Sequence, residues 1–457
     1  MDSRGRAGWW GRRYAISRPV MVGVLLAGGA AGAVDFEYTV SARMDGRARS
    51  SLAGDLAKAP DGGVAIATGE VELLPSGEAA LGFGPTRVSL MYNPSILFRE
   101  PQAGGPVVVL HRGRLGVGTH WEHGTFSLTE DGSYGEADVS PLRNPEAAAV
   151  ASAAATQAGS ILSAKIIPFA RSSTTASLGL TFPGRVSLGF SAGYQVGGSL
   201  ANDAGVADPL PFQYGPTGAA SVRVGVTELD GVAVSAQVMQ ATFVYGAEQL
   251  LAQTVVSWER QVTRTFSTTL SGGPAFSRQR VCAIFTPPDG GAARRFCEQP
   301  TPPPANWDPT LVKLGWSSNV FPVASGGASW RTSVGQGAPI VFSALVRLAP
   351  FADYNTGLVY ERIEGRLQAD WAAARTVVLR AVGSGAYAVQ MGGPGTQGGE
   401  QLYSGEAQVT WAPEQWFSMV ASARVVWSAQ PRLQNPGRLD WAGTVSVILH
   451  AHDTLAW

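Results

Sequence analysis

Five histidines, two cysteines and a balanced set of charges are the side chains here that could do chemistry. His120-Trp121-Glu122-His123 has the spacing of a helical metal motif, but the residues around it alternate as a strand does. Three positions apart on a strand, two side chains point to opposite faces and cannot share an ion. His450 and His452 share a face and would need a third ligand, and inward polar residues in a strand are expected anyway. Cys282 and Cys297 lie in a segment crowded with Pro287, Pro288, Pro300, Pro302, Pro303 and Pro304. In an exported chain such a pair is most simply a disulfide pinning a long loop, with two free thiols as the other reading. No Ser-His or Asp-His constellation can be picked out, so no catalytic group, metal or cofactor is expected.

The charges are more informative, because they recur at every second position within apolar segments. Arg87, Arg99, Arg112, Arg114, Arg171, Arg223, Arg347, Arg366, Arg380 and Arg424 stand in the polar phase of such segments, as do Glu70, Glu72, Glu364, Asp370 and Glu406. Side chains of a strand alternate between faces, so this period writes a wall that is apolar on one side and polar on the other. Phe36, Tyr38, Val40 and Met44 oppose Glu37, Thr39, Ser41, Arg43 and Asp45; Ile363, Leu367, Ala369 and Trp371 oppose Glu364, Arg366, Gln368 and Asp370. Opposed charges on the polar side would line a water-filled bore and set a transverse field in it. The same residues could instead merely satisfy one another across the wall.

The elements that would position them are strands separated alternately by tight turns and longer irregular loops. Their ranges are 36–45, 64–73, 86–99, 107–121, 125–137, 165–182, 185–196, 218–229 and 232–245, then 249–260, 264–281, 310–334, 340–349, 357–371, 375–391, 401–411, 417–430 and 439–457. Asp230-Gly231 reads as a two-residue hairpin, since both residues tolerate positive φ. The fold class is therefore all-β, a transmembrane antiparallel barrel of about 18 strands, with 16 as the alternative if 310–339, with Pro322 and Gly326-Gly327, is divided differently. An even count returns the C-terminus to the periplasmic side. The last residues alternate and end on Leu455 and Trp457, which resembles the assembly signal of outer-membrane proteins and implies the barrel-assembly machinery as a partner.

Residues 1–33 read as a signal peptide: Arg4, Arg6, Arg12, Arg13 and Arg18, then Val20 to Leu26, then Ala31-Gly32-Ala33. Its apolar run is short for a spanning helix, and 34–457 is left as one barrel domain in outer-membrane lipid. Near-neutral charge offers no basic face for nucleic acid. In the third long loop, Asn144, Pro145, Glu146 and the following alanines are helix-start signals, so 145–158 is expected as a short helix, lying either in the lumen or on the outer rim.

Leu90-Met91-Tyr92-Asn93-Pro94-Ser95-Ile96-Leu97-Phe98-Arg99-Glu100, Asp131-Gly132-Ser133-Tyr134-Gly135-Glu136 and Ala349-Pro350-Phe351-Ala352-Asp353-Tyr354 resemble segments of a group of predicted 18-stranded outer-membrane barrels. That group includes integral barrel components of Wzx/Wzy-type polysaccharide export, which work with a periplasmic polysaccharide export protein. The resemblance implies a channel that conducts a polymer and does no bond chemistry, and it carries no binding residues across. A passive porin for small solutes and a structural or adhesive surface protein are the rival functions.

Overall fold

The computed structural model describes residues 34–50, 67–99, 107–138, 166–200, 212–244, 246–281, 283–285, 294–296, 315–334, 338–352, 359–390, 400–430 and 435–456. The signal peptide, residues 145–158, both cysteines and Trp457 lie outside them, and no helix occurs among them.

Adjacent strands of the wall all pair antiparallel. The wall runs through β1 (Val34–Ser50), β2 (Ala67–Phe83), β3 (Thr86–Tyr92) with β4 (Ser95–Arg99), β5 (Val107–Trp121), β6 (Gly124–Asp138), β7 (Ile166–Phe182), β8 (Val186–Ser199) and β9 (Gln213–Gly225). It continues through β10 (Asp230–Phe243), β11 (Glu248–Thr263) and β12 (Phe266–Val281). A separate two-stranded hairpin, β13 (Ala283–Phe285) and β14 (Arg294–Phe296), follows. The wall resumes with β15 (Gly315–Val334), β16 (Ala338–Ala352), β17 (Val359–Ala374), β18 (Val377–Gln390), β19 (Glu400–Glu414), β20 (Phe417–Gln430) and β21 (Asn435–Ala456). β21 pairs with β1 from Asp35↔Ala456 to Arg49↔Ala442, which closes the ring. Because β3 and β4 occupy one place in the wall, the barrel has 18 strands. Closure leaves no open edge, the condition for a sheet to cross lipid.

Prolines fall where the ladder can do without their N–H. Pro75 sits inside β2 opposite Ala42 of β1, and on its other side the pairing lapses between Leu73↔Ile96 and Gly77↔Tyr92, where Asn93-Pro94 interrupts the neighbouring strand. The sequence reading ends this strand at residue 73, and the structure carries it to Phe83 for that reason. Pro274 and Pro322 are direct partners across β12 and β15, so β15 runs unbroken and the count is not 16.

The β9–β10 turn is also displaced from its expected place. It spans Val226–Leu229, with Asp230-Gly231 already in β10. The Thr227 hydroxyl accepts from the amides of Leu229 (3.1 Å) and Asp230 (2.9 Å) and donates to Asp230 Oδ2 (2.8 Å). Thr227 thus closes the turn, a side-chain substitute for the Asp-Gly geometry.

Tight turns share one end of the barrel with the start of β1 and the end of β21. Each described turn there is latched to the next hairpin by a backbone hydrogen bond into one of its carbonyls: Pro85 from His120, His123 from Thr181, Arg185 from Gly225, Leu229 from Gln261, Thr265 from Arg331, Thr376 from Ala412, and Trp416 from His450. The described turns thus form a latched collar.

The outer face is apolar and exposed, with Val40, Leu90, Val238, Leu270, Leu367 and Val445 among its residues. Aromatics flank this band: Trp121, Phe126, Trp371 and Trp411 toward the turns, Tyr134, Tyr194, Tyr387 and Tyr403 toward the loops. Such girdles mark the two membrane interfaces. A charged residue within this band is Glu130, on the outer face midway between Phe126 and Tyr134 of β6, which accepts hydrogen bonds from Ser172 and Thr174 of β7.

Candidate functional site

The register puts all the charged candidates on the other, inner face of the sheet. Moving round the ring, Arg87 pairs with Gly82, Arg99 with Glu70, Arg114 with Asp131, Arg223 with Ala233, Arg347 with Glu364, Asp370 with Arg380, and Glu406 with Arg424. Arg112, Arg171 and Arg366 share that face through Ser133, Gly197 and Leu345. His120 lies on it too, whereas His123 is in a turn, and His111 on the outer face meets the Tyr92 hydroxyl at 2.7 Å. His450 is on the inner face of β21. Among the described residues, no three histidine, cysteine or carboxylate side chains gather as a metal site would require.

The two halves of this inner face differ. Toward the turns its ion pairs stand in open solvent: Arg87–Glu37 (2.7 Å, side chains 56% and 39% exposed), Arg380–Asp370 (2.6 Å) and Arg223–Glu259. At mid-height come Arg114–Asp131 (2.6 Å) and Arg362–Glu364 (2.7 Å), with Arg366 donating to Gln368 (2.9 Å).

Toward the loops the inner face is buried all the way round, at Leu110, Phe169, Phe243, Phe321, Val426 and Ala442 for example. The inner face is therefore solvent-exposed in its turn half and buried in its loop half.

An ionic ladder occupies the buried half on the β21–β1–β2–β4 side. Arg43 binds Asp45 (2.6 Å) and donates to Ser446 of β21 (3.2 Å). Arg47 reaches Glu72 (3.1 Å) and Glu70 (3.8 Å), Arg49 reaches Glu70 (2.6 Å), and Ser95 donates to Glu72. Ser50 donates to Asp440 (3.1 Å). Glu70 and Glu72 are legible in the sequence as inner-face residues, and the structure adds Arg47, Arg49 and Asp440 to them. The signal was available in β1, where every odd position from 43 to 49 is charged.

The sequence pattern of the EpsX exopolysaccharide export family matches residues 29–454. The chain belongs to that family. No curated protein sequence matches it. Among solved structures it is similar to OccAB1 of Acinetobacter baumannii (8% identity, TM-score 0.45, covering 91% of this chain and 96% of that one). It is similar also to the outer membrane protein opdK of Pseudomonas aeruginosa (8%, 0.43, 92% and 99%) and to a mutant of the ferric enterobactin receptor PfeA of the same organism (9%, 0.46, 92% and 82%). At such identities and scores none of these likenesses bears on what this chain does. Family and fold together make this an outer-membrane β-barrel of the exopolysaccharide export family.

Proposed function

We propose that this barrel is the outer-membrane conduit for a surface polysaccharide, receiving the polymer from a periplasmic export protein in a Wzx/Wzy-type route. Membership of the export family carries the reading. The closed ring of 18 strands supports it, being wide enough to enclose an aqueous bore where eight strands would be filled by their own side chains. Arg87, Arg99, Arg112, Arg114, Arg223, Arg347, Glu364, Arg366, Asp370, Arg380, Glu406 and Arg424 line that bore. In bacterial barrels the short turns face the periplasm. The latched collar then offers the periplasmic partner a stiff platform around the turn end of the bore. Residues 1–33 direct export, and Leu455 with Trp457 addresses the assembly machinery.

Deleting the gene in a producing strain tests this reading. The expected result is loss of one surface polysaccharide with its accumulation in the periplasm, and unchanged uptake of small solutes. A strain that keeps all its surface polysaccharides and loses uptake of a small solute would establish the passive porin instead.

A further inference from the structure

Along most of the inner face an arginine carries its own counter-charge. Arg87, Arg114, Arg223, Arg362 and Arg380 each meet a carboxylate of the same wall. Three arginines on adjacent strands do not. Arg331 (β15) and Arg347 (β16) are exposed, and neither side chain has a carboxylate partner among the described residues. Glu364, the register partner of Arg347, is taken by Arg362 at 2.7 Å. Arg366 (β17), also exposed, donates to the uncharged Gln368, while Asp370 is taken by Arg380.

Register fixes the spacing of the three. Arg366 pairs with Leu345, so Arg347 lies one diagonal step away, about 7–8 Å between Cα atoms. Arg331 pairs with Val341, and four residues of strand from there to Leu345 put it about 14 Å nearer the turns. The surface between them is hydroxylic, with Ser325 beside Arg347 and Ser329 paired with Ser343. All three arginines stand in the exposed part of the inner face, so a chain entering from the turn end reaches them with the loop half as it is.

On another sector of the same face Asp35 and Glu78, of β1 and β2, are exposed near the turns. The field across the bore therefore draws negative groups toward β15–β17 and away from β1 and β2. A guanidinium presents paired N–H donors to an anionic group, and a serine hydroxyl donates and accepts as a sugar hydroxyl does.

We infer that Arg331, Arg347 and Arg366 form a guiding track for an acidic polysaccharide, with Ser325, Ser329 and Ser343 meeting its hydroxyls. The inference rests on the conduit reading and gives that conduit a substrate class. The polymer supplies the negative charge that the wall withholds from these three side chains.

The test is calorimetric titration of the purified full-length barrel in detergent at low salt. The probes are hexagalacturonate, maltohexaose as its neutral counterpart and a glucosamine hexamer as its cationic one. Wild type is expected to bind hexagalacturonate about tenfold or more tightly than either of the others. R331Q/R347Q/R366Q should lose about tenfold of that affinity, the equivalent of a lost charge-assisted contact, and keep its unfolding temperature because the side chains are solvated. R185Q/R264Q/R375Q removes three charges from the turns and should bind as wild type does. Equal losses in the two variants overturn the track by reducing it to general charge attraction. A lower unfolding temperature for the first variant alone overturns it too, by making its arginines structural. So does absent binding of hexagalacturonate, or preference for another probe. The conduit is judged apart, by the deletion strain, where the missing polymer is expected to be acidic. A missing neutral polymer would overturn the track and leave the conduit standing.

Discussion

Ser50, at the loop end of the first strand, donates to Asp440 of the last strand across 3.1 Å, and its hydroxyl oxygen accepts the Trp441 amide at 3.1 Å. One hydroxyl thus bridges the seam at which the chain closes on itself, beyond the last paired residue, Arg49↔Ala442. Ser50→Ala removes both bonds and leaves Asp440 with one fewer donor. A loss of about 1–2 kcal/mol is expected, read as a lower temperature for the folded-to-unfolded shift in gel migration. An unchanged transition would mean that the seam is held by the backbone ladder alone.

Arg47 is the shared partner of Glu70 and Glu72 inside the ladder. Removing one member of a buried ion network strands the opposite charge, at about 3–5 kcal/mol. Arg47→Met should sharply lower the yield of folded barrel, and the double variant R47M/E72M should recover part of it. A double variant as poor as the single one would show that the pair does not act as a unit.

The half-exposed pairs should behave differently. Asp370 binds Arg380 at 2.6 Å, with side chains 26% and 47% exposed, a setting in which an ion pair is worth less than about 1 kcal/mol. Asp370→Asn should leave stability nearly unchanged and shift the reversal potential of any open channel toward anions, while Arg366→Glu shifts it toward cations. Reversal potentials in planar bilayers under a salt gradient check this, and identical selectivity in both variants would remove these residues from the bore lining.

Glu130 faces outward at mid-height, where a carboxylate against hydrocarbon is unfavourable even with Ser172 and Thr174 donating to it. If lipid covers this wall, Glu130→Leu stabilises the barrel by about 1–2 kcal/mol, measurable as a higher unfolding temperature in vesicles. Destabilisation would mean that something other than lipid chains lies against β6.

The hairpin β13–β14 pairs Ala283 with Phe296, the immediate chain neighbours of Cys282 and Cys297. A disulfide between the two cysteines is therefore expected. Intact mass before and after reduction, with thiol labelling, decides it, and full labelling without reductant would exclude the bond.

Much of the wall was legible because lipid outside and water inside force a period of two that few other folds sustain through so many segments. Pro75 falls just past residue 73, where the sequence reading ends its strand, yet the strand runs on through it. Its tolerance depends on a gap in the neighbouring strand, which no local pattern reveals. Asp230-Gly231 misled in the opposite way, since a strong local turn signal yielded to the Thr227 hydroxyl. Side was readable at Arg114, Arg366 and Glu406, whereas height was not. Nothing in the alternation of β1 says that Arg47 and Arg49 are buried while Glu37, on the same face, is open to solvent.

The aromatic girdles carry a practical corollary. Trp121, Trp258, Trp316, Trp330, Trp371, Trp411, Trp427 and Trp441 all lie on the outer face of the wall. Intrinsic fluorescence of the folded protein will therefore be dominated by the lipid annulus. Brominated acyl chains should quench it strongly, while a polymer threading the centre should leave it almost dark to observation, so transport will have to be followed by a reporter placed inside.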